Sequence, residues 1–170
     1  MSSVNPGTIR EWLARGGWHP DRDIGARADE LIRVAVDAAA QQGMELAVPD
    51  AAVRFIRSYG ELELVIPGTS PEALLMLDPT IGYDGDVEDF AELGELLQRQ
   101  LFPVGAETCE FGTWLIDDMG RFFYRHHTGN FYLGATADEA FAAILSGGLL
   151  PYAEEASSAV TAYLGSPTQE

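Results

Sequence analysis

Residues 113–134, TWLIDDMGRFFYRHHTGNFYLG, hold three short apolar segments separated by two turn signals. Trp114-Leu115-Ile116 reads as a strand, and in Asp117-Asp118-Met119-Gly120 the glycine can take the positive φ that closes a tight hairpin. Phe122-Phe123-Tyr124 reads as the returning strand, Thr128-Gly129-Asn130 as a second turn and Phe131-Tyr132-Leu133 as a third strand, all rich in aromatics that suit a pleated surface. Alternation sets Phe123 on one face and Phe122 with Tyr124 on the other. Such a meander has to bury one of its faces, and amphipathic helices flank it in sequence on both sides.

Working outward toward the C-terminus, Thr136-Ala137-Asp138-Glu139 is a capping box. It opens a helix with Ala140, Phe141, Ile144 and Leu145 inward and Gly147-Gly148 beyond its end. Residues 152–164 read as a last helix, and Ser166 to Glu170 as a fraying tail. Toward the N-terminus, Phe102-Pro103-Val104-Gly105 reads as a short edge segment, because Pro103 cannot donate to a ladder. Before it, Asp86 caps a helix with Val87, Phe90 and Leu97 inward and Glu88, Glu92 and Glu95 outward. Leu62, Leu64 and Ile66 alternate with Glu61, Glu63 and Val65 as a half-buried strand ended by Pro67-Gly68, and Leu74 to Leu77 is a second candidate. The first third is helical. Thr8 is the expected cap of a helix carrying Ile9, Trp12 and Leu13, stopped by Gly16-Gly17. Arg27 or Asp29 precedes a helix with Leu31, Val34, Ala35 and Ala38 inward, ending near Gly43, and Asp50 caps another with Val53, Ile56 and Tyr59, ended by Gly60. This order predicts an α+β fold, a mainly antiparallel sheet flanked by helices, in a single domain over residues 1–165 with a tail at 166–170.

Composition bounds the function. The 170 residues suffice for one sizeable core, 46% of them are hydrophobic, and no apolar run reaches the roughly 18 residues of a membrane span. The opening residues Met1 to Pro6 lack the basic start and apolar core of a signal peptide, so the expected address is cytoplasmic. A net charge of −17 repels nucleic acid and anionic membranes and attracts basic proteins. The basic residues form no cluster that could track a phosphate backbone, which predicts no direct contact with nucleic acid. From Asp84 to Glu95 the chain carries Asp84, Asp86, Glu88, Asp89, Glu92 and Glu95 with no basic residue. That run is either a solvated face or a landing surface for a basic partner.

Few residues point to catalysis. His126 and His127 are adjacent, so on a strand they face opposite ways and cannot share a metal in the usual manner. Cys109, the single cysteine, can form no internal disulfide and no cysteine cluster for zinc. With a histidine and Asp117 it has the residue types of a thiol triad, which keeps a small cysteine-dependent hydrolase as the alternative function. No nucleophile motif surrounds it, however, and a lone cysteine is more often a small buried or half-buried hydrophobe. Asp117-Asp118 sits where a hairpin turn favours Asp. Trp12, Trp18 and Trp114 each belong to a pattern that explains them as core or staple, and Gly16-Gly17 and Gly147-Gly148 match no phosphate-binding loop. No catalytic residue, metal or cofactor is expected.

Several words recur in a telling order: Gly17-Trp18 with Arg22 after a first short helix, Phe55 with Tyr59-Gly60-Glu61-Leu62, Asp78-Pro79, Phe102-Pro103-Val104-Gly105, then Leu115-Ile116-Asp117 with Gly120, and Glu139-Ala140. Together they resemble the third family of SUKH immunity proteins, from about Ile9 to Leu149. The resemblance implies a SUKH (Smi1/Knr4-like) α+β fold and a role in bacterial polymorphic toxin systems, binding and neutralising a cognate toxin, and the acidic charge points to a basic toxin, such as a nuclease, as that partner. It brings no shared catalytic residues, and it implies that the recurring words are structural while function sits on the variable surface. From the residues themselves, Arg22 is expected to pair with a nearby carboxylate or to lie on the Trp18 face.

Overall fold

The meander forms as three antiparallel strands, and the computed structural model, which describes residues 4–156, extends it to six. In chain order these are β1 (Glu63–Ile66), β2 (Ala73–Met76), β3 (Leu101–Glu107), β4 (Thr113–Asp117), β5 (Phe122–His126) and β6 (Gly129–Gly134). The order in the sheet is also β1-β2-β3-β4-β5-β6, every neighbouring pair antiparallel. The helices are α1 (Pro6–Arg15), α2 (Ala26–Gln41), α3 (Asp50–Tyr59), α4 (Asp86–Leu97) and α5 (Ala137–Ser146), and a short helical stretch occupies residues 153–156. This is the expected α+β architecture. The rest of the helix anticipated over 152–164, the tail at 166–170 and the C-terminal bound of the single domain lie outside the described residues. No helix among the described residues is long and apolar enough to cross a membrane.

Both faces of the sheet carry a core. On one, Leu64, Leu75, Phe102, Val104, Trp114, Ile116 and Phe122 pack with the buried stripes of α1, α2, α3 and α5. Trp114 anchors this layer, its ring centroid 5.9 Å from Phe141 and 6.3 Å from Phe122. On the other face, Phe90, Leu93 and Leu97 of α4 pack with Leu101, Leu115 and Phe123. The register pairs Leu115 with Phe123 and Ile116 with Phe122, so adjacent residues feed opposite cores. Sequence alternation required one buried face; the acidic helix supplies the second.

Several local expectations need correction. β3 is not an edge segment: it lies between β2 and β4 and is buried throughout. Pro103 is tolerated there because β2 pairs only with Ala106 and Glu107, and because the β4 register shifts between Pro103 and Gly105. Gly105 allows that close approach, since a Cβ on it would lie 2.6 Å from the Met76 carbonyl oxygen. On α2 the buried stripe is Ala28, Leu31, Ile32, Ala35 and Ala39, while Val34 is 54% exposed and Ala38 is exposed as well. α1 is capped by Asn5, whose Oδ1 accepts from Gly7 N at 2.7 Å, with Pro6 at the first helical position, so Thr8 sits inside the helix. α3 starts from Pro49, which leaves Asp50 in the first turn, and it buries Phe55 where Val53 and Tyr59 are only half-buried. The second hairpin turns at His127-Thr128, because His126 pairs with Gly129 and the following residues already belong to β6. In α5, Thr136 Oγ1 accepts from Glu139 N at 3.2 Å as a capping box requires, but the Glu139 carboxylate accepts from Ala135 N at 2.6 Å, one residue earlier than in the standard box.

Candidate functional site

The recurring sequence words meet at a few joints of this scaffold. Gly17 closes α1 with φ +102°, and Trp18 stacks on Tyr59 with ring centroids 5.7 Å apart and planes 10° apart. Arg22 takes neither expected role. Its Nη1 donates to Ser58 O at 2.9 Å and its Nη2 to Gly60 O at 2.7 Å, so the guanidinium satisfies carbonyls at the C-terminal end of α3. Burial lowers the Arg22 pKa from its ordinary value, and Glu61 works in the opposite sense. Leu62 is buried, and its carbonyl accepts from Leu77 N at 2.9 Å, which leads the chain into Asp78-Pro79. There the Asp78 carboxylate accepts from Thr80 N and Thr80 Oγ1 at 2.8 and 2.6 Å, and Pro79 is buried. Glu139 fixes the entry to α5, and Ala140 beside it is fully buried.

Asp117 has no surface role at all. It is completely buried, its Oδ1 accepts from Met119 N and Arg121 N at 3.0 and 2.8 Å, and its Oδ2 accepts from Arg121 Nε at 2.8 Å. Gly120, at φ +81°, closes the turn that this carboxylate organises.

A second buried carboxylate, Glu107, was not legible in the sequence. It accepts from Cys109 N, Glu110 N and Gly112 N and from the Tyr124 hydroxyl at 2.9 Å, and so holds the loop between β3 and β4 in one shape. Burial first, then the negative charge of Glu107 and the hydrogen bond to it, push the Tyr124 phenol far above its ordinary pKa. Gly112 was the available clue: a Cβ there would overlap the Tyr124 ring at 2.2 Å.

Cys109 lies exposed on this loop, contrary to the expectation of a buried or half-buried residue. Its imagined partner Asp117 stands at the far end of β4 with its oxygens taken by Arg121 and the turn, so the thiol triad is not assembled. The histidines read in the sequence as ordinary strand-end or turn residues, and His126 ends β5 while His127 lies in the turn after it, the two rings with centroids 3.9 Å apart. His126 is buried, with Nδ1 2.8 Å from Thr128 Oγ1, while Glu110 Oε2 approaches Nε2 to 2.6 Å without the alignment of a hydrogen bond. Among the described residues no group of three or more His, Cys, Asp and Glu is arranged to hold a metal. Cys109→Ser is therefore expected to change stability by no more than about 0.5 kcal/mol, as exposed substitutions do. It should leave function intact, and loss of function in a variant that melts like the parent would reinstate a nucleophilic role.

The acidic run divides in two. Asp86 is engaged locally, its Oδ2 accepting from Tyr83 N at 2.7 Å, and Asp89 pairs with Arg125 across to β5 at 3.1 Å. Asp84, Glu88, Glu92 and Glu95 are exposed, and the last three lie at helical spacing on the side of α4 away from Phe90, Leu93 and Leu97. The loop before α4 and the loop held by Glu107 flank a cleft of about 260 Å³ floored by Met76, Ala106 and Thr113 of the sheet. Tyr83 and Phe111 stand at this cleft, 64% and 59% exposed, their rings edge to face at 6.3 Å. The sequence points to the loop from Asp78 to Tyr83 as a second place for a binding surface but does not single out the Tyr83 ring, and Phe111 was missed, because nothing in a single chain separates an exposed aromatic from a core one.

A family model described as SUKH-3 immunity protein matches residues 5–147, which is most of the chain. No curated protein and no solved structure matches it.

Proposed function

The chain belongs to the SUKH-3 immunity protein family, and from that premise we propose that it neutralises a cognate toxin of a bacterial polymorphic toxin system by binding it. The toxin is basic, a nuclease or another enzyme acting on an anionic substrate, and the encounter takes place in the cytoplasm. The chain neither catalyses a reaction nor touches nucleic acid or membrane itself. The observation that carries this reading is the match over residues 5–147. Charge supports the choice of partner, since a protein of net charge −17 presents on α4 a row of three exposed glutamates with no basic residue among them. The family words act on the chain's own helix ends, turns and central strands, and the landing surface in this reading is Asp84, Glu88, Glu92 and Glu95, with Asp86 and Asp89 beside them.

Replacing Glu88, Glu92 and Glu95 together with Lys tests the surface. Like-charge repulsion along the helix is relieved or merely reversed, so the fold should survive. Association with the toxin should slow by about tenfold or more at low salt and lose much of its salt dependence, since exposed charges act mainly on the encounter rate and fade beyond a Debye length of about 8–10 Å. Unchanged association kinetics at low salt would mark α4 as a solvated face and move the binding surface elsewhere.

A further inference from the structure

We infer that Tyr83 and Phe111 form the anchor of the toxin-binding surface, receiving a Lys or Arg side chain of the toxin in the cleft between their loops. This rests on the toxin-binding reading proposed above and names the part of the surface that sets the lifetime of the complex.

Two large aromatic rings more than half exposed, in edge-to-face contact at the rim of a cleft of about 260 Å³, are a feature that water alone does not favour. Both are held in place before any partner arrives. Tyr83 N is bonded to Asp86 Oδ2 and Asp86 N to Tyr83 O, and Gly85 N donates to Oε1 of Gln42, the residue just after α2, so the loop is tied both to itself and to the helical layer. Phe111 sits at φ 60°, a left-handed conformation that a phenylalanine adopts at a cost, on the loop fixed by the buried Glu107 carboxylate. A loop built around an internal carboxylate therefore presents an aromatic ring in a conformation that glycine would adopt more easily. Preorganised aromatics lose little conformational freedom on binding and are over-represented among the residues that dominate interface energies.

The chemistry of the surroundings selects a cationic occupant. Asp86 lines the cleft, Asp84 adjoins Tyr83, and the exposed Glu110 adjoins Phe111. Aromatic faces together with carboxylates suit a guanidinium or ammonium group, whose aliphatic stem can lie against the rings while its charge meets the acids. The cleft lies on the same face of the sheet as α4: Met76, Ala106, Thr113 and Arg125 form one cross-strand row, and Arg125 pairs with Asp89 of that helix. The anchor and the glutamate row thus belong to one side of the molecule. The glutamates speed the encounter, and the aromatic pair slows the departure.

The test uses the catalytically inactivated domain of the cognate toxin, with association and dissociation followed separately for Tyr83→Ala and Phe111→Gly. Glycine suits the backbone at position 111, so Phe111→Gly should melt no lower than the parent by more than a few degrees and any loss of binding cannot be laid to unfolding. Each variant should raise the dissociation rate by about 30-fold or more with little change in association. Coupling should appear between Phe111→Gly and an alanine substitution of one Lys or Arg of the toxin, the two losses together falling short of their sum. Parent-like dissociation in both variants would overturn the anchor while leaving the proposed function standing on the charge-reversal result. Coupling only to an apolar toxin residue would overturn the cationic occupant. Absence of binding by the unaltered chain would overturn the proposed function and this inference with it.

Discussion

Phe122→Ala and Phe123→Ala are each expected to destabilise the protein by about 3–5 kcal/mol, the usual range for truncating a fully buried phenylalanine. Adjacent strand residues normally differ sharply in such a test, because one side chain faces the core and the other faces water. Here both are essentially inaccessible, at 2% and 1% of their surface. Phe122 meets Phe55 and Trp114 in the core beneath α1, α2, α3 and α5, with ring centroids at 5.0 and 6.3 Å. Phe123 packs with Leu115 and the apolar side of α4, and its ring lies 5.6 Å from that of Tyr132. Urea unfolding of the two variants measures both layers at once. A loss under about 1 kcal/mol in Phe123→Ala alone would mean that α4 does not cover the sheet. The same result in Phe122→Ala would undo the main core.

Asp117→Ala is expected to cost about 3–5 kcal/mol, as when one partner of a buried ion pair is removed. The loss has two parts. Arg121, whose side chain is 10% exposed, would be left without its carboxylate, and the backbone N–H groups of Met119 and Arg121 would lose the acceptor that shapes the turn. Asp117→Asn keeps an oxygen for the backbone donors and should lose less. The double variant Asp117→Ala/Arg121→Ala should lose less than the sum of the singles, because the uncompensated charge goes with the pair. Equal losses for Asp117→Ala and Asp117→Asn would assign the whole effect to the ion pair. Additive single losses would show that the two residues act independently. Urea midpoints with unchanged slopes measure all four variants, the Arg121→Ala single included, on one scale.

The meander was legible because its signals are local: turn residues at or beside each reversal, aromatics between them, and a single period. The capping sequence before α5 was legible for the same reason. What escaped depends on partners distant in sequence. Pro103 looks like an edge residue until one sees that β2 ends opposite Ala106. Val34 and Ala38 fit a helical period as well as Ile32 and Ala39 do, and only the packing of α2 chooses between the two stripes. The six acidic positions from Asp84 to Glu95 were visible as a run, but their division into engaged and free carboxylates needed Tyr83 N and Arg125 to be placed. Arg22 was singled out by its sequence word, while its task, bonding the carbonyls of Ser58 and Gly60, joins residues 36 and 38 positions apart. The Glu107 loop joins local bonds to residues 109–112 with one from Tyr124, 17 positions on, and the Tyr83–Phe111 cleft is tertiary.

Neutralisation by binding is tested most directly by expressing this chain together with its active cognate toxin. Growth should be restored, and the two proteins should co-purify as a complex. Toxicity unrelieved at matched expression of well-folded protein, with no complex recovered, would contradict the proposed function.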